Sequence, residues 1–74
     1  NWVEWRPVKT LCIRCDFKNE AQARYIAIEV GAAVEEEQYS ETGVALTLTV
    51  TEDQETLLRN HGDARLFEIT SGTP

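Results

Sequence analysis

Two cysteines three residues apart are the first candidates for chemistry in this chain. Cys12 and Cys15 have the C-x-x-C spacing used in disulfide exchange and zinc binding. They lie in a segment that alternates apolar and polar residues, and strand residues three apart point to opposite faces, so the two thiols cannot form a disulfide. A zinc site lacks ligands, because the chain holds one His and no other Cys. We interpret Cys15 as a core residue and Cys12 as a residue of the other face. Two unpaired thiols favour a reducing compartment, hence the cytoplasm.

Two further groups of residues invite a chemical interpretation. His61, with Asp63 two residues later, has the elements of a general base and an orienting carboxylate. It ends a helical stretch, however, where a His often interacts with the negative helix end, and no nucleophile elbow or glycine-rich phosphate loop accompanies it. The acids at positions 35–37 lack the turn residues and glycine of a calcium loop. We therefore predict no enzyme activity, no cofactor and no metal site, and interpret these acids as protection of a sheet edge.

The charge of the chain limits its partners. Its 74 residues correspond to one small domain, and its net charge is −6. Residues 1–30 hold five basic and four acidic side chains, whereas residues 31–74 hold two and nine. An acidic domain repels phosphate backbones, so binding to RNA or the ribosome is disfavoured, although the basic side chains of the first third keep it as an alternative. No apolar run approaches the roughly 20 residues that span a membrane, so no membrane partner is expected.

The hydrophobic periods predict six elements. They are a strand over Thr10–Phe17, a helix over Glu20–Val30, strands over Ala33–Ser40 and Gly43–Val50, a helix over Glu52–His61 and a strand over Ala64–Thr70. The order β-α-β-β-α-β is the split βαβ or ferredoxin-like motif, an α+β two-layer sandwich. It predicts a four-stranded antiparallel sheet, with the fourth, first, third and second strands side by side and both helices on one face. Residues 1–8 are predicted to be a linker or edge segment, and residues 9–74 the domain, a piece of a longer protein.

Local signals refine these elements. Capping boxes are predicted at Asn19 with Gln22 and at Thr51 with Gln54. Gly43 is predicted to supply the positive φ of a tight hairpin. The side chains predicted to be buried in the second half are Leu57, Leu58, His61, Phe67 and Ile69. The acidic second strand disfavours self-pairing at its edge, which leaves the fourth strand as the contact edge.

The sheet face without helices is the predicted partner surface. It carries Cys12, Arg14, Thr47 and Thr49. Trp2 and Trp5 have no place in the alternating pattern, and they either mark an interface or fold back over this same domain. The predicted partner-binding residues are Trp2, Trp5, Arg14, Thr47 and Thr49.

Several short motifs occur in a familiar order. The first strand ends in Cys15-Asp-Phe17, Gly31 follows the first helix, Tyr39 precedes the Val44-x-Leu-x-Leu strand, and Thr70-Ser-Gly72 closes the chain. Over roughly residues 9–73 the chain resembles the small C-terminal domain of bacterial YigZ-type proteins of the IMPACT family. That domain typically ends its first strand in Cys-Asp-Tyr and closes with Thr-x-Gly. Here Phe17 replaces the Tyr, and Ser71 stands where a basic residue is common.

The resemblance implies a function through partners. YigZ-type proteins pair this domain with a larger N-terminal domain, and eukaryotic members of the family regulate translation through protein partners. The resemblance therefore implies a non-catalytic accessory domain that contacts its own N-terminal domain or another protein. Because the family's domain is similar to the ferredoxin-like domains of elongation factor G, RNA or ribosome binding is the alternative. RNA recognition through such a sheet typically uses aromatic side chains, and none is expected on the open face.

Overall fold

The computed structural model describes residues 7–72 and contains the six predicted elements in the predicted order. They are β1 (Val8–Asp16), α1 (Glu20–Glu29), β2 (Ala33–Tyr39), β3 (Gly43–Thr51), α2 (Glu52–Arg59) and β4 (Glu68–Ser71). Two short 3-10 turns, Phe17–Asn19 and Ala64–Leu66, precede α1 and β4. The second turn takes up the start of the last predicted strand, which is why β4 begins later than its sequence pattern predicts. No helix within residues 7–72 is long and apolar enough to cross a membrane.

The four strands form one antiparallel sheet in the order β2-β3-β1-β4. This is the predicted order, and together with the two helices it makes the α+β, two-layer, ferredoxin-like arrangement. The central pair, β1 and β3, is in register over nine residues, from Val8 opposite Thr51 to Asp16 opposite Gly43. The acidic strand β2 lies at one edge, as its charges predict, and β4 lies at the other.

The hydrophobic core lies between the helices and one face of the sheet. Its largest members are Leu11, Ile13, Ile26, Leu46, Leu48, Val50 and Leu58. Cys15, Phe67 and Ile69 are partly buried against this cluster, which confirms their prediction as core residues. The prediction that Leu57 is buried is wrong, because Leu57 is 59% exposed to solvent. Successive helical residues are about 100° apart, so a helix this short that buries Leu58 turns Leu57 to the solvent.

The two helix starts differ from each other. Thr51 caps α2 as predicted: its Oγ1 accepts from the Gln54 N–H at 3.2 Å, and the Gln54 Oε1 accepts from the Thr51 N–H at 2.8 Å. Asn19 makes no side-chain cap bond, so the capping box predicted there is wrong. Its ψ is 2° because it ends a 3-10 turn, whereas a capping residue needs an extended backbone.

Gly43 begins β3 in the hairpin, and the reason why a glycine is needed there differs from the predicted one. Gly43 does not have a positive φ; the glycines that do are Gly31 and Gly72. A Cβ on Gly43 would instead lie 2.2 Å from the Cys15 carbonyl oxygen. Gly43 is therefore required by close backbone approach between β1 and β3, and the positive-φ prediction is wrong.

Candidate functional site

The sheet face opposite the core, here called the second face, brings together the predicted contact residues of β1 and β3. Cys12 lies opposite Thr47, Arg14 opposite Ala45, and Thr10 opposite Thr49. Side chains directly opposite each other on antiparallel strands share a face. Arg14, Thr47 and Thr49 therefore lie on one surface, whereas Trp2 and Trp5 lie outside the described residues.

The centre of the second face is made of small side chains. Cys12 is fully buried, and Ala45 and Thr47 are nearly so, yet neither Cys12 nor Ala45 belongs to the core cluster beneath the helices. According to the strand register, longer and exposed side chains lie around this centre on the same face. They are Arg14, Glu36, Gln38 and Glu68. The second face thus has a buried centre of small side chains inside a charged and polar rim.

The hydroxyl of Thr47 is the unusual group of this surface. Thr47 is only 5% exposed, and its Oγ1 has no hydrogen-bond partner among the described residues. Opposite it, burial raises the pKa of the Cys12 thiol, so this side chain stays protonated at neutral pH. The centre of the second face therefore holds a buried hydroxyl, unpaired among residues 7–72, beside a neutral thiol.

The rim of the second face holds a weak ion pair. Arg14 Nε lies 3.9 Å from the Glu68 carboxylate, and both side chains are largely exposed. Exposed pairs at such distances contribute little to stability. Arg14 is consequently available to a partner at small cost to the fold.

His61 joins two elements of the helical layer. Its Nδ1 accepts from the Asp63 N–H at 3.1 Å, which leaves the ring proton on Nε2, 2.9 Å from Glu29 Oε1. The Asp63 carboxylate is 3.9 Å from Nδ1 and accepts instead from the Gln22 side chain. His61 is half-buried, and its contacts tie α1 to the loop after α2. The Asp63 carboxylate does not orient the ring as a catalytic dyad requires.

The acids of the β2 edge are partly paired. Arg24 makes ion pairs with Glu37 and with Glu20, and the Tyr39 hydroxyl donates to Glu20 at 2.8 Å. The Tyr39 ring stacks on Phe17, with ring centroids 6.5 Å apart. No group of three or more metal-ligating side chains capable of holding an ion occurs within residues 7–72. These contacts anchor the edge strand to α1.

A second surface borders the last strand, which was predicted as the contact edge, although none of the residues of this surface was predicted as a site. A groove of about 400 Å³, here called the β4 groove, lies beside the last strand and is lined in part by Arg59, His61, Arg65 and Phe67. Arg59 and Arg65 are the two basic residues of the acidic part of the chain, 31–74. The sequence shows that these two arginines precede the last strand, but only the fold shows that they line the same groove.

Comparison with known protein families and with characterised proteins finds no match to this chain.

Proposed function

We propose that this chain is a non-catalytic interaction domain that binds another protein domain through its second face. The observation that carries the proposal is the shared face of Arg14, Thr47 and Thr49, on which the Arg14 side chain is exposed and Thr49 is partly exposed. Because the ion pair of Arg14 with Glu68 is long and exposed, a partner can replace it at little cost. A docked protein with a carboxylate opposite Arg14 can do so at a fixed position.

The surroundings of Thr47 support a protein partner. Protein interfaces combine a desolvated centre with a polar rim that stays in contact with water. On this face Cys12 and Ala45 form a buried centre, and the exposed rim around them carries charges of both signs. A partner therefore finds charges at the rim that orient it.

The resemblance to the IMPACT family names the partner that we propose. The motifs that carry it fall at the ends of elements: Phe17 follows β1, Gly31 follows α1, and Tyr39 ends β2. On this basis we propose an accessory domain of a YigZ-type protein, with its own N-terminal domain or another protein as partner and a link to translation regulation. The two free thiols favour the cytoplasm as its location.

RNA or ribosome binding is the alternative, and one residue favours it: Arg14 is exposed on the second face. Against it, no aromatic residue occupies a second-face position of β1 or β3 within the register, so base stacking is not available there. The net charge of −6 adds long-range repulsion.

An NMR titration distinguishes the two partners. The ¹⁵N-labelled chain is titrated with the recombinant N-terminal domain of a YigZ-type protein and, separately, with total RNA. We expect the protein to shift the amide signals of Arg14, Thr47 and Thr49, and Arg14→Glu to weaken that binding about tenfold. Lys18→Glu, an exposed change outside the second face, is the matched control and leaves protein binding unchanged.

The same two variants identify RNA binding. Binding to a phosphate backbone depends on the total positive charge, so both substitutions weaken it by similar factors. Shifts with RNA alone replace the proposed function by the alternative. No shift with either partner contradicts both.

A further inference from the structure

We propose that the outer edge of β4 binds an extended acidic peptide as an additional strand, with Arg59 and Arg65 holding its carboxylates. This surface is separate from the second face, and the inference does not depend on the function proposed above.

The hydrogen-bond pattern shows which backbone groups of β4 point outward. The Gly72 N–H donates to the Thr10 carbonyl at 2.8 Å, so these two residues form a hydrogen-bonded pair. Such pairs alternate along antiparallel strands with pairs whose N–H and C=O groups point away from each other. Gly72 and Thr70 therefore bond to β1. The residues that alternate with them, Ser71 and Ile69, direct their backbone N–H and C=O groups to the free edge. The Arg59 side chain agrees with this, because its Nη1 donates to the Ile69 carbonyl at 3.3 Å.

The outer edge of β4 is the better of the two sheet edges for adding a strand. Within residues 7–72 no strand pairs with it. Unpaired backbone groups along an edge are the feature that extended peptides recognise. At the opposite edge β2 carries the three consecutive acids of positions 35–37, and it repels an acidic segment.

The cations of the β4 groove select the charge of the peptide. Arg59 Nε donates to the Glu55 carboxylate at 2.9 Å, and its Nη1 donates to the Ile69 carbonyl, so its guanidinium lies beside β4. Arg65 is exposed and makes no ion pair or side-chain hydrogen bond with any described residue. The alternate side chains of an added strand point to the helical side of the sheet, where the groove lies. Glutamates at those positions meet Arg65, which binds carboxylates through paired N–H groups, and Arg59, whose charge is shared with Glu55.

A second copy of the chain fits this edge less well than an acidic peptide does. Two β4 strands paired around a two-fold axis bring Arg59 and Arg65 of both copies to the same seam, where like charges repel. The acidic β2 edge of another copy has the right charge, but such a contact does not close and leads to chains of molecules. Self-association is therefore an outcome that the experiment must exclude.

The first measurement uses fluorescein-labelled, acetylated hexapeptides in anisotropy titrations at low salt. The probe alternates valine and glutamate, and its matched control alternates valine and lysine. We expect the glutamate peptide to bind at least about tenfold more tightly, and Arg65→Glu to lower its affinity about tenfold. Arg65→Lys keeps the charge and is expected to keep most of the affinity. Equal affinity for both peptides, or no effect of Arg65→Glu, overturns the proposal.

The second measurement tests the backbone contacts. Ser71→Pro removes an outward N–H without removing a hydrogen bond to β1, and we expect it to weaken peptide binding at least about fivefold, while Ser71→Ala does not. In case the proline variant does not fold, the same contacts are removed from the other side with a glutamate peptide whose alternate amides are N-methylated. Unchanged affinity of that peptide overturns the proposal.

Two controls separate this inference from the other surfaces. Peptide-induced NMR shifts must include Ile69 and Ser71; shifts confined to Arg14 and Thr47 assign the peptide to the second face and overturn the inference. Sedimentation equilibrium of the chain alone must show a monomer. A self-association that Ser71→Pro abolishes assigns the edge to a second copy and also overturns it. None of these outcomes bears on binding of a protein domain to the second face.

Discussion

At the residue scale, the Thr47 hydroxyl costs stability in the isolated domain. Its Oγ1 is buried and has no partner within residues 7–72, and it lies beside a neutral thiol. Valine has the same shape without the hydroxyl. We therefore expect Thr47→Val to raise the free energy of unfolding by about 1 kcal/mol, measured by urea denaturation, because it removes an unsatisfied polar group from a buried position.

The matched control for this substitution is Thr49→Val. Thr49 lies on the same face and strand, but it is only partly buried, so its hydroxyl keeps contact with water. We expect a change within about 0.5 kcal/mol. A loss of stability in Thr47→Val larger than that of the control contradicts the assignment, since it means that the Thr47 hydroxyl makes a favourable bond.

At the scale of elements, the cap of α2 connects both helices. Besides its bonds to Thr51, the Gln54 side chain donates from Nε2 to the Gly31 carbonyl at 3.1 Å, just after the end of α1. We expect Thr51→Ala to lower the free energy of unfolding by about 1 kcal/mol in the same urea assay, because it removes one half of the capping box. Asn19→Ala is the control; it removes no cap bond and is expected to change stability by less than about 0.5 kcal/mol. Equal losses in both variants contradict this difference between the helix starts.

The elements could be predicted because their signals are periodic and local. The alternation around Leu11 and Leu48 and the stripe that includes Ile26 place these residues in the core, and the order of elements then restricts the strand order. The failures have a different origin. Asn19 has the right residue type for a cap, but the 3-10 turn before α1 sets its ψ, and Gly43 is needed for a contact with Cys15 across the sheet. Such interactions depend on residues distant in sequence.

For the candidate sites, too, some features could be predicted from local sequence patterns and others could not. That Arg14 and Thr47 share a face follows from two-residue periods once the strand order is known. The burial of Thr47 depends on the side chains of neighbouring strands, which one strand's pattern does not contain. The β4 edge depends on the phase of hydrogen bonding between β4 and β1, which is set by pairing and leaves no mark in the residue types. The direction of the Ile69 carbonyl therefore required the structure.

At the scale of the whole molecule, the carboxylates of Glu20 and Glu55 each connect a helix to the sheet through hydrogen bonds and ion pairs. The Tyr39 hydroxyl and then Arg24 lower the pKa of Glu20, which ties the β2 edge to α1. Lys9 and then Arg59 lower the pKa of Glu55, which ties β1 to α2. A carboxyl whose folded pKa is depressed contributes stability above its ordinary pKa, here 4.5, and that stability is lost as the pH falls through the folded pKa. Acid therefore weakens one contact of each helix with the sheet, that of Glu20 with Tyr39 and that of Glu55 with Lys9.

The opposite shift operates at high pH, and the two together predict a dome-shaped stability profile. Burial raises the pKa of the Cys12 and Cys15 thiols above their ordinary value of 9.0. A raised pKa favours the protonated folded state, so this stability is present below pH 9.0 and is lost as the pH rises through the folded pKa. We expect the melting temperature, followed by circular dichroism in a reducing buffer, to be highest between pH 4.5 and pH 9.0 and to fall on both sides.

Two substitutions separate the limbs of this profile. Glu55→Gln removes one titrating group together with its ion pairs, so we expect a lower melting temperature at neutral pH and a shallower fall in acid, with the alkaline limb unchanged. Cys12→Ala removes a buried thiol and is expected to flatten the alkaline limb while leaving the acid limb as it is. A melting temperature that stays constant from pH 3 to pH 7, or an acid limb that Glu55→Gln leaves equally steep, contradicts the assignment of acid sensitivity to these interlayer contacts. The limbs respond to different variants because the Glu55 carboxyl titrates in acid, whereas the Cys12 thiol titrates in alkali.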